Sequence, residues 1–254
     1  MDVLIELKNK IMANGGFREK EEPKCKICND RGFLMTKGTD GYVTAKDCIC
    51  KRKKRWHGLV EREGLLDRLK NNTFKNFEVT SESSKRAKEQ ALKYTTDYKE
   101  KSLIITGQVG SGKTHLALAV VNQIAENEIR ANNINQVLPK IAFYNSLINK
   151  LKGSKRFSSE YETITILDEY KNTPFLLIDD FLKIERGYEA VTWMFEIINA
   201  RYNMKLPTII TSELTPKQIV QIDEALGSRL IEMAGGVRQG SNIIILSDKN
   251  RRLG

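Results

Sequence analysis

One octapeptide constrains this chain more than any other feature. Gly107-Gln108-Val109-Gly110-Ser111-Gly112-Lys113-Thr114 matches G-x-x-x-x-G-K-[ST] at every specified position. A short apolar run, Ser102–Thr106, precedes it, and a stretch of helical periodicity at 113–126 follows. Between a strand and a helix, such glycines let the backbone curl until its N–H groups converge on phosphate oxygens. The helix N-terminus adds partial positive charge. Gly107, Gly110, Ser111 and Gly112 then form a phosphate cradle, Lys113 reaches the β- and γ-phosphates, and Thr114 offers its hydroxyl to Mg²⁺.

The rest of the chain from about residue 81 supplies the fold such a loop requires. Short apolar runs recur at Ile141–Tyr144, Phe175–Asp179, Thr208–Thr211 and Asn242–Leu246. Runs of this length suit a parallel sheet covered on both faces. Helical stretches at 145–152, 159–171, 187–204 and 215–233 lie between them. The alternation predicts an α/β fold, a doubly wound parallel sheet of about five strands. Upstream, Gly58–Lys70 reads as a short helix and Ser81–Tyr98 as an amphipathic one, with Ser81 as its cap. The expected division is an N-terminal module at 1–56, a linker at 57–80 and the nucleotide domain at 81–254.

Leu176-Leu177-Ile178-Asp179-Asp180 supplies the acids. An apolar strand that ends in a carboxylate places it at the sheet edge beside the phosphate loop. Asp179 is the expected Mg²⁺ holder and Asp180 the group that polarises an attacking water.

All four cysteines lie in the N-terminal module: Cys25-x2-Cys28, then, after 19 residues, Cys48-x-Cys50. Two close pairs are what a tetrahedral Zn²⁺ site takes. Asn29–Gly32 reads as the turn after the first pair, and Phe33–Met35 and Tyr42–Thr44 as a β-hairpin joined through Gly38–Gly41. His57 is surplus to a complete four-thiolate shell. The formal charge is +10, and residues 1–75 carry 18 Lys/Arg against 11 Asp/Glu. The densest run is Lys51–Arg55, which serves either a solvated helix face or a polyanionic or protein partner. No apolar run approaches the roughly 18 residues of a membrane span, and the first twenty residues lack the layout of a secretion signal. A cytoplasmic protein without a membrane partner is the expectation.

With these residues in view, the sequence resembles the bacterial and phage replicative helicase loaders of the DnaC/DnaI type, within the AAA+ ATPases. Thr73–Phe77, GQVGSGKTHLA at 107–117, LLIDDF at 176–181, INARY at 198–202, PTIITSEL at 207–214 and GSRLIEM at 227–233 carry the likeness. The stretch CKICNDRGFL…DGY…CICKRKKR resembles the cysteine modules of some Gram-positive and phage loaders. His115 after the loop threonine is typical of these loaders. The resemblance implies an ATPase with ATP, Mg²⁺ and Zn²⁺, activated by self-association through the ATP site. Its implied partners are a replicative helicase hexamer and single-stranded DNA.

Several roles come from the resemblance alone. Arg229 looks like an arginine finger that reaches a neighbour's ATP. The end of PTIIT looks like the sensor-1 region, with one departure: the family usually has Asn after Thr-Ser, and this chain has Glu213. An ionised carboxylate cannot donate a hydrogen bond, so either Ser212 or Thr211 takes that role or hydrolysis is slow. Phe74 and Phe77 resemble a segment near the adenine. Arg238 is a candidate sensor or DNA contact. Two other readings share this domain: a transposition helper of the IstB type, which the cysteine module argues against, and a nucleotide-gated DNA-binding adaptor with weak hydrolysis, which Glu213 keeps open.

Overall fold

The computed structural model describes residues 22–39, 41–99, 101–131, 139–157, 160–236 and 241–247. The chain divides into two units at Arg55/Trp56. In the first, β1 (Phe33–Lys37) and β2 (Val43–Asp47) pair antiparallel, with Phe33 opposite Asp47. Helix α1 (Ile49–Arg62) begins inside the second cysteine pair and carries the basic run. Within that run Lys51 donates to Asp47 at 2.8 Å and Arg55 lies 3.5 Å from the same carboxylate. The predicted helix at 58–70 is therefore two. Gly64, at φ +67°, ends α1, as glycine does after a helix. A separate α2 (Leu66–Asn71) follows.

The second unit is built on five parallel strands. β3 (Leu103–Gly107), β4 (Pro139–Phe143), β5 (Phe175–Asp179), β6 (Thr208–Ser212) and β7 (Ile243–Leu246) lie in the order β4-β5-β6-β3-β7. Successive side chains of a strand point to opposite faces. Ile104, Leu176, Ile178 and Ile210 belong to one buried cluster. The alternate residues Leu103, Ile105, Leu177 and Ile209 are equally buried, so both faces are covered. Helix α3 (Glu82–Asp97) starts at a capping box between Ser81 and Ser84. It packs on α4 (Lys113–Ala131), which lies against β3, β5 and β6.

The remaining helices are α5 (Tyr144–Phe157), α6 (Glu160–Asn172), α7 (Tyr188–Asn203), α8 (Pro216–Ile222) and α9 (Glu224–Met233). The predicted single helix at 215–233 is broken at Asp223, whose extended backbone lets its carboxylate accept from Leu226 N–H at 2.7 Å and cap α9. Thr215 and Gln218 form a capping box for α8. Among the described residues no helix is long and apolar enough to cross a membrane.

Candidate nucleotide site and four-cysteine centre

The phosphate loop leaves β3 at Gly107, and only glycine fits there. A Cβ would sit 2.3 Å from the Leu246 carbonyl oxygen of the neighbouring strand. The loop then turns through Gly110 and Gly112, both at positive φ, into α4. Lys113 is buried, and its Nζ donates to the carbonyls of Gly107 (2.8 Å) and Gln108 (2.7 Å) across the loop. Burial holds its pKa below the usual lysine range, against the pull of Glu213, Asp180 and Asp179. Thr114 Oγ1 donates to both oxygens of Asp179, at 3.0 and 3.1 Å.

A cavity of about 680 Å³ opens here, lined by Gly110, Gly112, Lys113, Thr114, His115, Asp179 and Asp180. These are seven of the sequence-predicted residues. The site fits a nucleotide phosphate on two counts. Ser111 Oγ is buried without a hydrogen-bond partner beside the cradle. The hydroxyl and carboxylate expected to share Mg²⁺ are already in contact. Burial pushes the Asp179 carboxyl up, opposed by its bond from Thr211. That bond is 2.5 Å, Thr211 Oγ1 donating to Asp179 Oδ1, and the same hydroxyl accepts from Asp180 N–H at 2.9 Å.

Asp180 sits at φ +58°, so the chain turns sharply off β5. Lys183 Nζ closes the turn, 3.2 Å from Asp180 Oδ2 and 3.0 Å from Glu213 Oε1. Lys183 and Glu213 both line the cavity. Ser212 requires a correction. Its hydroxyl donates to Phe181 O at 2.8 Å and accepts from Leu214 N–H at 3.1 Å, and it does not line the cavity. Strand alternation separates the two: the Thr211 hydroxyl turns to Asp179 at the end of β5, and Ser212 takes the other face.

His115 lies at the rim, its Nε2 2.9 Å from Thr73 O and its ring edge-on to Phe77. It thereby ties the 73–77 segment to the loop. Arg229 is not among the cavity's lining residues. It donates to Asn199 Oδ1 (2.8 Å) and Ala225 O (2.9 Å) and stacks over Phe195 and Tyr202. Arg238 lies outside the described residues. Sequence reasoning missed Arg68 and Lys183. Arg68 lies over the Phe143 ring at 4.5 Å and lines the cavity. Asn122 brings it there by donating to Leu69 O and Asn72 O from α4.

In the first unit the four sulfur atoms all lie within 4.8 Å of one another. Cys25–Cys48 is 3.8 Å and Cys28–Cys50 is 3.5 Å, and none is in a disulfide. Tetrahedral zinc with Zn–S near 2.3 Å requires S···S of about 3.8 Å, so the residues fit this ion. Asp30 orients the first pair by accepting from Lys24 N–H and Cys25 N–H, and Gly32 N–H donates to Cys28 Sγ at 3.3 Å. N–H donors of this kind stabilise thiolate ligands.

A family model described as the bacterial DnaA ATPase domain matches residues 69–236. The uncharacterized protein YqaM of Bacillus subtilis (strain 168) is 30% identical over 227 residues, 83% of this chain and 67% of that one. The replicative helicase loader DnaC of Buchnera aphidicola is 24% identical over 213 residues, 82% of each chain. The crystal structure of DnaI is similar in fold, with a TM-score of 0.56 at 22% identity, over 73% of this chain and 93% of that one. The phosphate loop, its paired threonine and aspartate, the five-stranded order and the match across 69–236 agree: this chain belongs to the bacterial DnaA ATPase-domain family, with the AAA+ fold that the DnaC and DnaI helicase loaders share.

Proposed function

We propose that this protein is an ATP-dependent loader that places a replicative DNA helicase on single-stranded DNA. The observation that carries the reading is the likeness to a replicative helicase loader over 82% of both chains. The cysteine module takes the helicase, and the ATPase domain couples nucleotide state to assembly and strand engagement.

The residues divide the chemistry of ATP + water → ADP + phosphate. Lys113 and the loop N–H groups hold the phosphates. Thr114 and Asp179 would hold Mg²⁺, which would supply neutralisation of phosphate charge. Asp180 accepts from the attacking water. Arg229, off its own site, serves the neighbour's ATP in an assembly, where a planar delocalised cation suits the transferring phosphoryl group. Hydrolysis on this reading depends on self-association. Glu213 favours the second reading, a nucleotide-gated DNA-bound switch with weak hydrolysis; negligible turnover in the fully assembled state would select it.

The test is light scattering after size exclusion of the protein mixed with the replicative helicase of its source, with ATP and Mg²⁺. The intact chain and one lacking residues 1–56 are compared. A complex that needs the N-terminal segment supports the loader reading. No complex under any nucleotide condition refutes it.

A further inference from the structure

We infer that Lys183, held by Glu213 and Asp180, is the γ-phosphate-sensing cation of this site, and that Glu213 positions it. The inference rests on the nucleotide-binding reading above and names a new residue within it.

Glu213 faces the same cavity as the phosphate loop. A carboxylate there opposes a triphosphate by like charge, and an ionised one donates no hydrogen bond. Left unpaired, it would weaken binding most at the γ-phosphate. The structure resolves the conflict with Lys183. Its ammonium lies 3.0 Å from Glu213 Oε1 and 3.2 Å from Asp180 Oδ2, and Glu213 Oε1 is buried with no other donor on it, so this ion pair is its compensation. Partial burial works against the charge, yet the two carboxylates hold Lys183 above the usual lysine range.

The backbone fixes the cation in place. Phe181 N–H donates to Thr211 O at 2.8 Å and Lys183 N–H to Asp180 O at 3.2 Å, with Asp180 and Leu182 both at positive φ. Lys183 therefore stands on a tight turn facing the end of β6. Its three donors exceed what Glu213 and Asp180 take, which leaves one for a phosphate oxygen. ATP has the γ-oxygen and ADP does not, so Lys183 discriminates between them.

The experiment measures dissociation constants of ADP and of a non-hydrolysable ATP analogue, each with Mg²⁺, by calorimetry on the full chain. For Lys183→Met the analogue weakens about 10-fold or more, the scale of a lost charge-assisted bond, while ADP affinity stays within about 2-fold. Lys183→Met/Glu213→Asn recovers most of the preference, because an amide at 213 donates by itself. Glu213→Ala, which removes the anchor of Lys183 without putting a donor in its place, loses part of it. An unchanged analogue-to-ADP ratio in Lys183→Met overturns the inference, as does equal weakening of both nucleotides. A parent chain that binds neither nucleotide would refute the nucleotide site itself, a result distinct from a parent that binds both and a variant that keeps the ratio.

Discussion

Thr211→Val tests whether Asp179, the carboxylate proposed to hold Mg²⁺, is charged in the folded protein and stabilised by the Thr211 hydroxyl. Valine keeps the shape and removes two hydrogen bonds. The first is the 2.5 Å donation to Asp179 Oδ1, a length typical of O–H···O⁻ and worth about 1.5–3 kcal/mol. The second is the acceptor for Asp180 N–H at 2.9 Å, worth about 1 kcal/mol. A loss of about 3 kcal/mol is expected at neutral pH, a fall in Tm of roughly 6–12 °C for a unit of this size. The pH dependence separates the two bonds. Burial raises the folded Asp179 above its ordinary value of 3.8, so between the two values the folded state holds the extra proton. Stability tied to this group is therefore full below the unfolded pKa and declines as pH rises through the folded one. Thr211 softens that decline, and without it the decline steepens. Melting curves of both proteins are recorded from acid to neutral pH in magnesium-free buffer without chelator. The deficit of the variant should be largest at neutral pH and shrink by about 1–2 kcal/mol as the carboxylate takes its proton. A deficit that is constant or grows toward acid would refute a charged, hydroxyl-stabilised Asp179.

Arg229→Ala should leave ATP affinity unchanged and lower assembly-dependent turnover by about 1000-fold or more; turnover equal to the parent's in a concentration series would remove Arg229 from the site. Metal analysis of protein purified without chelator should give about one zinc per chain, and Cys48→Ser should lose it; four freely titratable thiols in the native parent would end the zinc assignment. Arg201→Met should destabilise by about 3–5 kcal/mol, with Arg201→Lys recovering only part, as read from urea midpoints; a loss under about 1 kcal/mol for methionine would contradict the structural account.

Arg201 shows what its sequence segment conceals. INARY is legible as a family signature, but its arginine is fully buried and does not line the cavity. It donates to the carbonyls of Tyr170, Thr173 and Pro207 and to Thr208 Oγ1. Those carbonyls end α6 and lead into the strands, where cations satisfy orphan acceptors. Burial pulls its pKa down to about 9, which still leaves it charged at neutral pH. The residue fastens α6 to the sheet, and a lysine cannot reproduce its planar fork.

What was legible in the sequence was local. The phosphate loop, the apolar strands and the acid that ends β5 are each contained in a run of a few residues, and so are the two cysteine pairs and the turn between them. The break at Asp223 was also local, but helical periodicity continues across it and only the cap geometry separates α8 from α9. Lys183, Arg68 and the choice of Thr211 over Ser212 depend on what faces what. Arg68 reaches the cavity because Asn122, more than fifty residues later, holds the end of α2 by two carbonyls. Ser212 was one of two candidates that differ by a single step along β6, and a single step reverses the face of a strand. Ser212 turns away from the cavity, and Glu213, the first residue after β6, lines it. A glutamate there reads as a defect when the strand is taken alone. Beside a lysine fixed by the turn after Asp180, it is one half of a charged pair, and the donor absent from position 213 is supplied from position 183.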